Sequence, residues 1–250
     1  MPEDQPPEPV ATLGMLSRSA QLTVQVVAIA VGEQPLILAH RGSVDLYRLP
    51  CGWSGLLAFS PGIHVVDGDA AILRLERAGL VKLQAFVDQA MPSAACSANQ
   101  CLTSLAAPRA VLSSASALKS WYVTQVMSNS DALQAFARFL RQSESYRLVC
   151  FLLEQSAASE KLCSLAPRYG VSVSHFRRLC HEALGGAAKP EMREWRTAQA
   201  LLAMARGKQS LTDVALEFGF ASSSHFSKEI RDLVGVTPSS LIDITRLSSK

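Results

Sequence analysis

Leu165-Ala-Pro-Arg-Tyr-Gly-Val-Ser-Val-Ser-His-Phe-Arg-Arg-Leu179 returns in altered form as Val214-Ala-Leu-Glu-Phe-Gly-Phe-Ala-Ser-Ser-Ser-His-Phe-Ser-Lys228. Gly170 matches Gly219 at an offset of 49 residues, while His175-Phe176 matches His225-Phe226 and Gly185 matches Gly235 at an offset of 50. One extra residue therefore sits in the second turn. Each copy reads as a helix, a glycine turn and a serine-capped helix. That is the pattern of a helix-turn-helix. A lone motif of this kind is often only a packing unit. Two in tandem, with aligned caps, aromatics and basic residues, point to DNA.

Working outward, residues 143–250 carry the punctuation of an all-α domain. Pro190 is expected at the first position of a long helix, with Glu191 and Glu194 in its first turns and Arg206-Gly207 at its end. At 1.5 Å per residue, its roughly 17 residues form a rod of about 26 Å. Ser210 followed by Asp213 resembles a capping box for the next helix. Ser172 is expected to cap Val173–Leu184, Ser222 to cap Ser223–Val234, and Pro238 to open a last helix ending near Leu247. In the first motif Gly170, Phe176 and Leu179 are expected to be structural, with Cys180 beside them. In the second, Gly219, Phe226 and Ile230 take those roles.

That leaves Ser174, Arg177 and Arg178 facing outward on one recognition helix, and Ser223, Ser224, Ser227 and Lys228 on the other. Arginine pairs bidentately with guanine, whereas serine and lysine more often hold phosphate, so the first helix is expected to read more sequence. The helix starts at Ser172 and Ser222 also present free backbone N–H groups to phosphate. A rod of this length lets two recognition helices enter successive major grooves, about 34 Å apart, without a palindromic site. His175 and His225 each follow a cap by three residues and are expected to pack or touch phosphate, not to catalyse.

Upstream, residues 1–19 are expected to be a flexible leader, acidic and Pro-rich over 2–9, with Met15 as an alternative start. Residues 20–142 are expected to form a regulatory or partner-binding domain. Leu22–Val31, Ile63–Val66, Ala70–Leu75 and Leu80–Val87 read as strands separated by Pro61-Gly62, Asp67-Gly68 and Ala78-Gly79, which suggests a small antiparallel sheet or barrel. Residues 91–107 read as a loop. Helical patterning follows in Leu112, Leu118, Trp121, Tyr122 and Met127, breaks at Ser128–Asp131, and resumes in Leu133, Phe136, Phe139 and Leu140. Most of these stripes are expected in the core. A remainder within Leu112–Met127 and Leu133–Leu140 is the candidate contact for a partner or a second copy. The fold class is α+β: a small β-rich domain with helices, then an all-α domain with two helix-turn-helix units joined by a long helix.

Charge agrees with this division. Residues 160–250 hold 13 Lys/Arg against 9 Asp/Glu, a net +4, while residues 1–159 hold 11 against 12. The six cysteines, Cys51, Cys96, Cys101, Cys150, Cys163 and Cys180, form no C-x-x-C, which fits a reduced, cytoplasmic setting and no zinc site. No apolar run approaches the ~20 residues of a membrane span. His40, His64, Glu33 and Glu76 are too scattered to suggest metal chemistry, so neither a cofactor nor an enzyme activity is expected.

These residues resemble the AraC/XylS family of transcription regulators. Leu211-Thr-Asp-Val-Ala215, Gly219-Phe220, Phe226-Ser-Lys228 and Gly235-Val-Thr-Pro238 carry the likeness, with Arg196 and Ala200 in the connecting helix. The resemblance implies a DNA-binding domain over about Ser145–Leu247, working on promoter DNA beside RNA polymerase. It places base contacts on Ser174, Arg177 and Arg178, then on Ser223, Ser224, Ser227 and Lys228. Many members carry a cupin-like barrel that binds a sugar, so a cupin-like form is the expectation for the β-rich domain. A narrower likeness, in Arg168–Cys180, Ala183–Gly186 and Trp195–Gln199, is to the InvF/MxiE group of invasion regulators of type III secretion. That group implies activation of effector and translocator genes with a tetratricopeptide-type secretion chaperone as co-activator, and leaves a homodimer open. The alternative is a family member that controls a metabolic operon through a small-molecule ligand. A third class, an alkyltransferase with a catalytic cysteine, lacks an activating histidine here. Two departures stand out: Pro167 lies inside the first motif's leading helix, and Cys180 stands where the wider family often has Phe.

Overall fold

The computed structural model describes residues 11–12, 25–73, 75, 77–91, 100–128, 130–157, 160–206, 210–238 and 240. The chain divides into two compact units, residues 1–147 and 148–250.

Among the described residues of the first unit, antiparallel strands form two sheets: β1 (Ala11–Thr12), β2 (Gln25–Val31), β3 (Leu36–His40), β4 (Leu46–Leu49), β5 (Ser54–Phe59), β6 (Ile63–Asp67), β7 (Ala70–Leu73) and β8 (Leu102–Ala106). One sheet runs β1-β7-β2-β5-β8, the other β4-β3-β6. They share one apolar core. Ile29, Val31, Leu57, Phe59 and Ile72 from the first sheet pack with Leu36, Leu38 and Leu49 from the second. Strand alternation supplies this: every second side chain of β3 and β6 joins the core, as Leu36, Leu38, Ile63 and Val65 do.

Four readings of this unit change. Ala11–Thr12, expected in the leader, pair with β7 as Ala11↔Ile72 and Thr12↔Ala71. The rest of the leader lies outside the described residues. Leu80–Val87, expected as a strand, is part of helix α1 (Arg77–Ala90). Leu80 and Val81 recur at Gln84 and Ala85 as its buried seam, a helical period, so Ala78-Gly79 begins a helix instead of turning a hairpin. Within 91–107, expected as a loop, Leu102–Ala106 form β8 and pair with β5 from Phe59↔Leu102 to Gly55↔Ala106. Gly55 makes that pairing close: a Cβ there would sit 2.3 Å from the Leu105 carbonyl oxygen.

The fourth concerns the helical stripes. Helices α2 (Arg109–Leu112), α3 (Ala115–Ser128) and α4 (Asp131–Gln142) follow β8. Leu133, Phe136, Phe139 and Leu140 are all buried, so the α4 stripe is core and offers no docking face. Beneath it runs a polar chain. The Tyr122 hydroxyl donates to Gln84 (2.6 Å), and the Gln84 amide donates to Asp88 (2.9 Å). Arg141 grips the same carboxylate with two bonds of 2.8 and 2.6 Å, and the Tyr146 hydroxyl adds a fourth at 2.7 Å. Burial opposes the Asp88 charge, but the hydrogen bonds from Arg141 and Tyr146 outweigh it and hold the carboxyl below its ordinary range.

The second unit is helical: α5 (Glu144–Gln155, whose Leu148–Gln155 belong here), α6 (Leu162–Tyr169), α7 (Val173–Leu184), α8 (Ala188–Arg206), α9 (Leu211–Glu217) and α10 (Ser223–Val234). The long helix α8 begins two residues before Pro190. Ala188 is buried and seats its start, and Pro190 is still in the first turn, where no N–H is required. The expected last helix lies almost wholly outside the described residues.

Candidate nucleic-acid interface

The two motifs are built alike and braced differently. In the first, α6 ends at Gly170, whose φ of +85° only glycine adopts without strain. The N–H of Val171 closes the turn on the Ala166 carbonyl at 3.1 Å. Ser172 is extended, and its Oγ accepts the His175 N–H at 3.4 Å, which starts α7. Pro167 is the sixth residue of the eight-residue α6, close enough to its end that the helix survives the missing N–H. The core is an aromatic trio: Tyr169 and Phe176 lie 5.0 and 6.2 Å from Phe151, and 5.7 Å from each other.

In the second motif, Ser210 and Asp213 form the expected capping box. Ser210 Oγ accepts the Asp213 N–H at 3.2 Å, and Asp213 Oδ2 accepts the Ser210 N–H at 3.3 Å. Gly219 has a φ of +68°. The Phe220 N–H closes on the Ala215 carbonyl at 2.8 Å, so Phe220 stands where Val171 does and Ala221 is the extra residue. Ser222 Oγ then accepts the His225 N–H at 3.1 Å and starts α10. Phe220 and Phe226 pack with ring centres 4.7 Å apart, beside Ala200, Met204, Val214, Ala215 and Ile230.

On α7 the buried seam is Phe176, Cys180, Ala183 and Leu184. Leu179, expected inward, is only half-buried because it sits on the flank of that seam. Burial pushes the Cys180 thiol up to about 11. Ser174, Arg177 and Arg178 are exposed at the start of α7. Arg178 lies 4.0 Å from Glu182, an exposed pair one turn apart. On α10, Ser224 and Lys228 are exposed as expected, whereas Ser223 and Ser227, also expected outward, are half-buried. Ser227 Oγ donates to the Ser223 carbonyl at 2.8 Å. The outward faces therefore differ: two guanidiniums with a hydroxyl on α7, one ammonium with hydroxyls on α10.

One group escaped the sequence reading. Glu229 is buried at 6% exposure, and both its oxygens accept from the Arg193 guanidinium of α8. His225 Nε2 lies 3.2 Å from the same carboxylate. The Arg193 hydrogen bond, working against burial, holds the Glu229 carboxyl below its ordinary range. A signal was available: residues 226, 229 and 230 share one helical face, so a carboxylate there demanded a cation partner. Arg196, one turn beyond Arg193, stacks its guanidinium 4.9 Å above the Phe220 ring. Elsewhere, among the described residues, no three His, Cys, Asp or Glu side chains come together as a metal site. None of the described helices is long and apolar enough to cross a membrane.

A family model described as "Helix-turn-helix domain" matches residues 165–243. The Invasion protein InvF of Salmonella typhi is 41% identical over 187 residues, covering 74% of this chain and 87% of its own. The Transcriptional regulator MxiE of Shigella flexneri is 35% identical over 127 residues, covering 50% of this chain and 60% of its own. The Virulence regulon transcriptional activator VirF of Yersinia enterocolitica is 31% identical over 102 residues, 41% of this chain and 38% of its own.

Proposed function

We propose, for a chain that belongs to the AraC-type family of transcriptional regulators that includes InvF and MxiE, that it activates genes of a type III secretion system, those for effectors and translocators above all. One observation carries the DNA-reading part: a single chain holds two serine-capped recognition helices on either side of α8, with cations exposed at both. Nineteen residues make α8 a rod of about 28 Å. That length suits two entries into successive major grooves. Arg177 and Arg178 read bases, with Ser174 beside them. Ser223, Ser224, Ser227 and Lys228 read weakly and hold phosphate. The N-termini capped by Ser172 and Ser222 add backbone donors to phosphate. Phosphate contacts dominate affinity, so binding falls steeply with salt. Activation proceeds by recruiting RNA polymerase, with a tetratricopeptide-type secretion chaperone favouring the DNA-competent form. Its candidate contact, or that of a second copy, is the part of α3 that stays outside the core, Val123 and Met127. Such a protein works in the cytoplasm and is no enzyme.

A second reading is favoured by one feature of the first unit. A cavity of about 330 Å³ opens among α1, α3 and α4, walled by Val87, Met91, Val126 and Leu133 above the Asp88–Arg141 pair. Its size suits a small ligand. Mass action makes the readings separable: a metabolite raises the melting temperature of the full chain in this second reading, a secretion chaperone in the first.

The deciding experiment is genome-wide occupancy of the tagged protein, with the Arg178→Ala/Lys228→Ala double variant in parallel. The expected result is discrete peaks upstream of secretion and effector genes that vanish in the variant. Peaks at a metabolic operon would favour the small-molecule reading, and no peaks with the chaperone present would refute DNA reading by the tandem motifs.

A further inference from the structure

The buried carboxylate of Glu229 has no part in the reading of DNA described above, yet it sits on the second recognition helix, one residue after Lys228. A carboxylate on a helix that approaches phosphate is unfavourable unless it is withdrawn and neutralised. Here it is both: its side chain is 6% exposed, while Arg193 is half in solvent at 50%. The pair joins α10 to α8, the element that carries both motifs.

We propose that the Arg193–Glu229 pair is a positioning device that sets the angle of α10 on α8, and through it the one half-site spacing the protein accepts. This rests on the DNA-reading function proposed above. Three observations carry it. The apolar contact between the second motif and α8 is centred on Ala200 and Met204. It is non-directional and tolerates rotation. Arg193 meets α10 seven to eleven residues earlier, about 10–16 Å along the rod and one turn before the Arg196–Phe220 stack, so it fixes the end of the contact farthest from Ala200 and Met204. The contact at Arg193 is also the directional kind: two N–H groups of one planar guanidinium, Nε and Nη2, each meet a different oxygen of one carboxylate.

An ion pair with one partner buried and the other half in solvent is weak as a source of stability; specifying one geometry is the better-attested use of such a pair. Geometry is what a two-headed reader requires. Moving a half-site by one base pair shifts it by about 3.4 Å and turns it by about 35° around the duplex, given 10–10.5 base pairs per turn of 34–36 Å. Rejecting that neighbour requires α10 to be held to a fraction of such a turn.

The test uses the full chain and a random-sequence duplex pool, selecting bound DNA with wild type, Glu229→Gln and Arg193→Lys. Wild type is expected to return two base motifs at a single spacing. Glu229→Gln is expected to return the same two motifs with spacing spread over neighbouring values. Its preference for the wild-type spacing over one base pair more or less falls about tenfold, the scale of a charge-assisted hydrogen bond. Arg193→Lys keeps the charge without the fork and should fall between. Should Glu229→Gln fail to fold, Arg193→Lys at its half-exposed site carries the test. An undiminished single spacing in the variants, or affinity lost equally at every spacing, overturns the proposal while leaving DNA reading intact. If wild type returns no paired motif, the reading beneath fails and this falls with it.

Discussion

Arg178→Ala should separate sequence reading from folding. In the free protein this guanidinium is 69% exposed and lies 4.0 Å from Glu182, itself 62% exposed. An i,i+4 pair with the cation on the N-terminal side is the poorer order, worth a few tenths of a kcal/mol at most. Removing it leaves no buried charge and no cavity, so the melting temperature should move by about a degree or less. On a selected operator the loss is different in kind. A bidentate arginine–guanine pair is worth about 1–3 kcal/mol, or about 5- to 150-fold in Kd. On scrambled DNA the same residue is one cation near phosphate, and its loss lowers the salt slope by about 0.9. Fluorescence anisotropy with operator and scrambled duplexes, at several salt concentrations, gives both numbers from one protein preparation. The ratio of the two affinities should fall for Arg178→Ala and stay level for Lys228→Ala, which weakens both alike. Equal weakening of operator and scrambled DNA by Arg178→Ala would refute the base-reading role of α7.

Three further outcomes follow from the packing and the titrating groups. Phe226 has no exposed surface, and Phe226→Ala should cost about 3–5 kcal/mol, enough to abolish the second motif's footprint and visibly lower the melting temperature. Lys161 begins α6 in an extended conformation without a side-chain cap, so Lys161→Ser should raise stability by about 0.5–1 kcal/mol in urea denaturation. The Asp88 carboxyl is held below its ordinary value of 3.8, so its contribution is complete above that pH and disappears as pH falls through the lower folded value. Asp88→Asn should therefore destabilise the chain at pH 7, and the gap between variant and wild type should close in melts taken progressively below pH 3.8; a gap unchanged by acid would contradict the network.

The second unit was legible because its signals are local. A serine two or three residues after a glycine starts a helix wherever it stands, and Ser210 with Asp213 completes its box within four residues. The first unit is held by contacts far apart in sequence, and there reading failed. β8 is a run of Leu-Thr-Ser-Leu-Ala with no strand signature of its own. It pairs with a strand some fifty residues earlier, where Gly55 lets the backbone come close. Ala78-Gly79 looks like a turn until the helical recurrence of Leu80 and Gln84 is weighed against it. Leu179 lost its expected core place to Cys180, since the seam follows i, i+4, i+7 and i+8 from Phe176. At the interface the exposure of Ser174, Arg177, Arg178, Ser224 and Lys228 was readable from helical period, but the half-burial of Ser223 and Ser227 and the Arg193–Glu229 pair, 36 residues apart, were not.

In the function proposed above, the unlike faces of α7 and α10 would give a single bound chain a heading. A symmetric dimer is indifferent to being turned end for end. A chain whose leading reader shows Arg177 and Arg178 and whose trailing reader shows Ser224 and Lys228 is not. The target proposed for it is therefore an arrow, and a promoter carrying the same bases inverted would present the opposite side of the same protein.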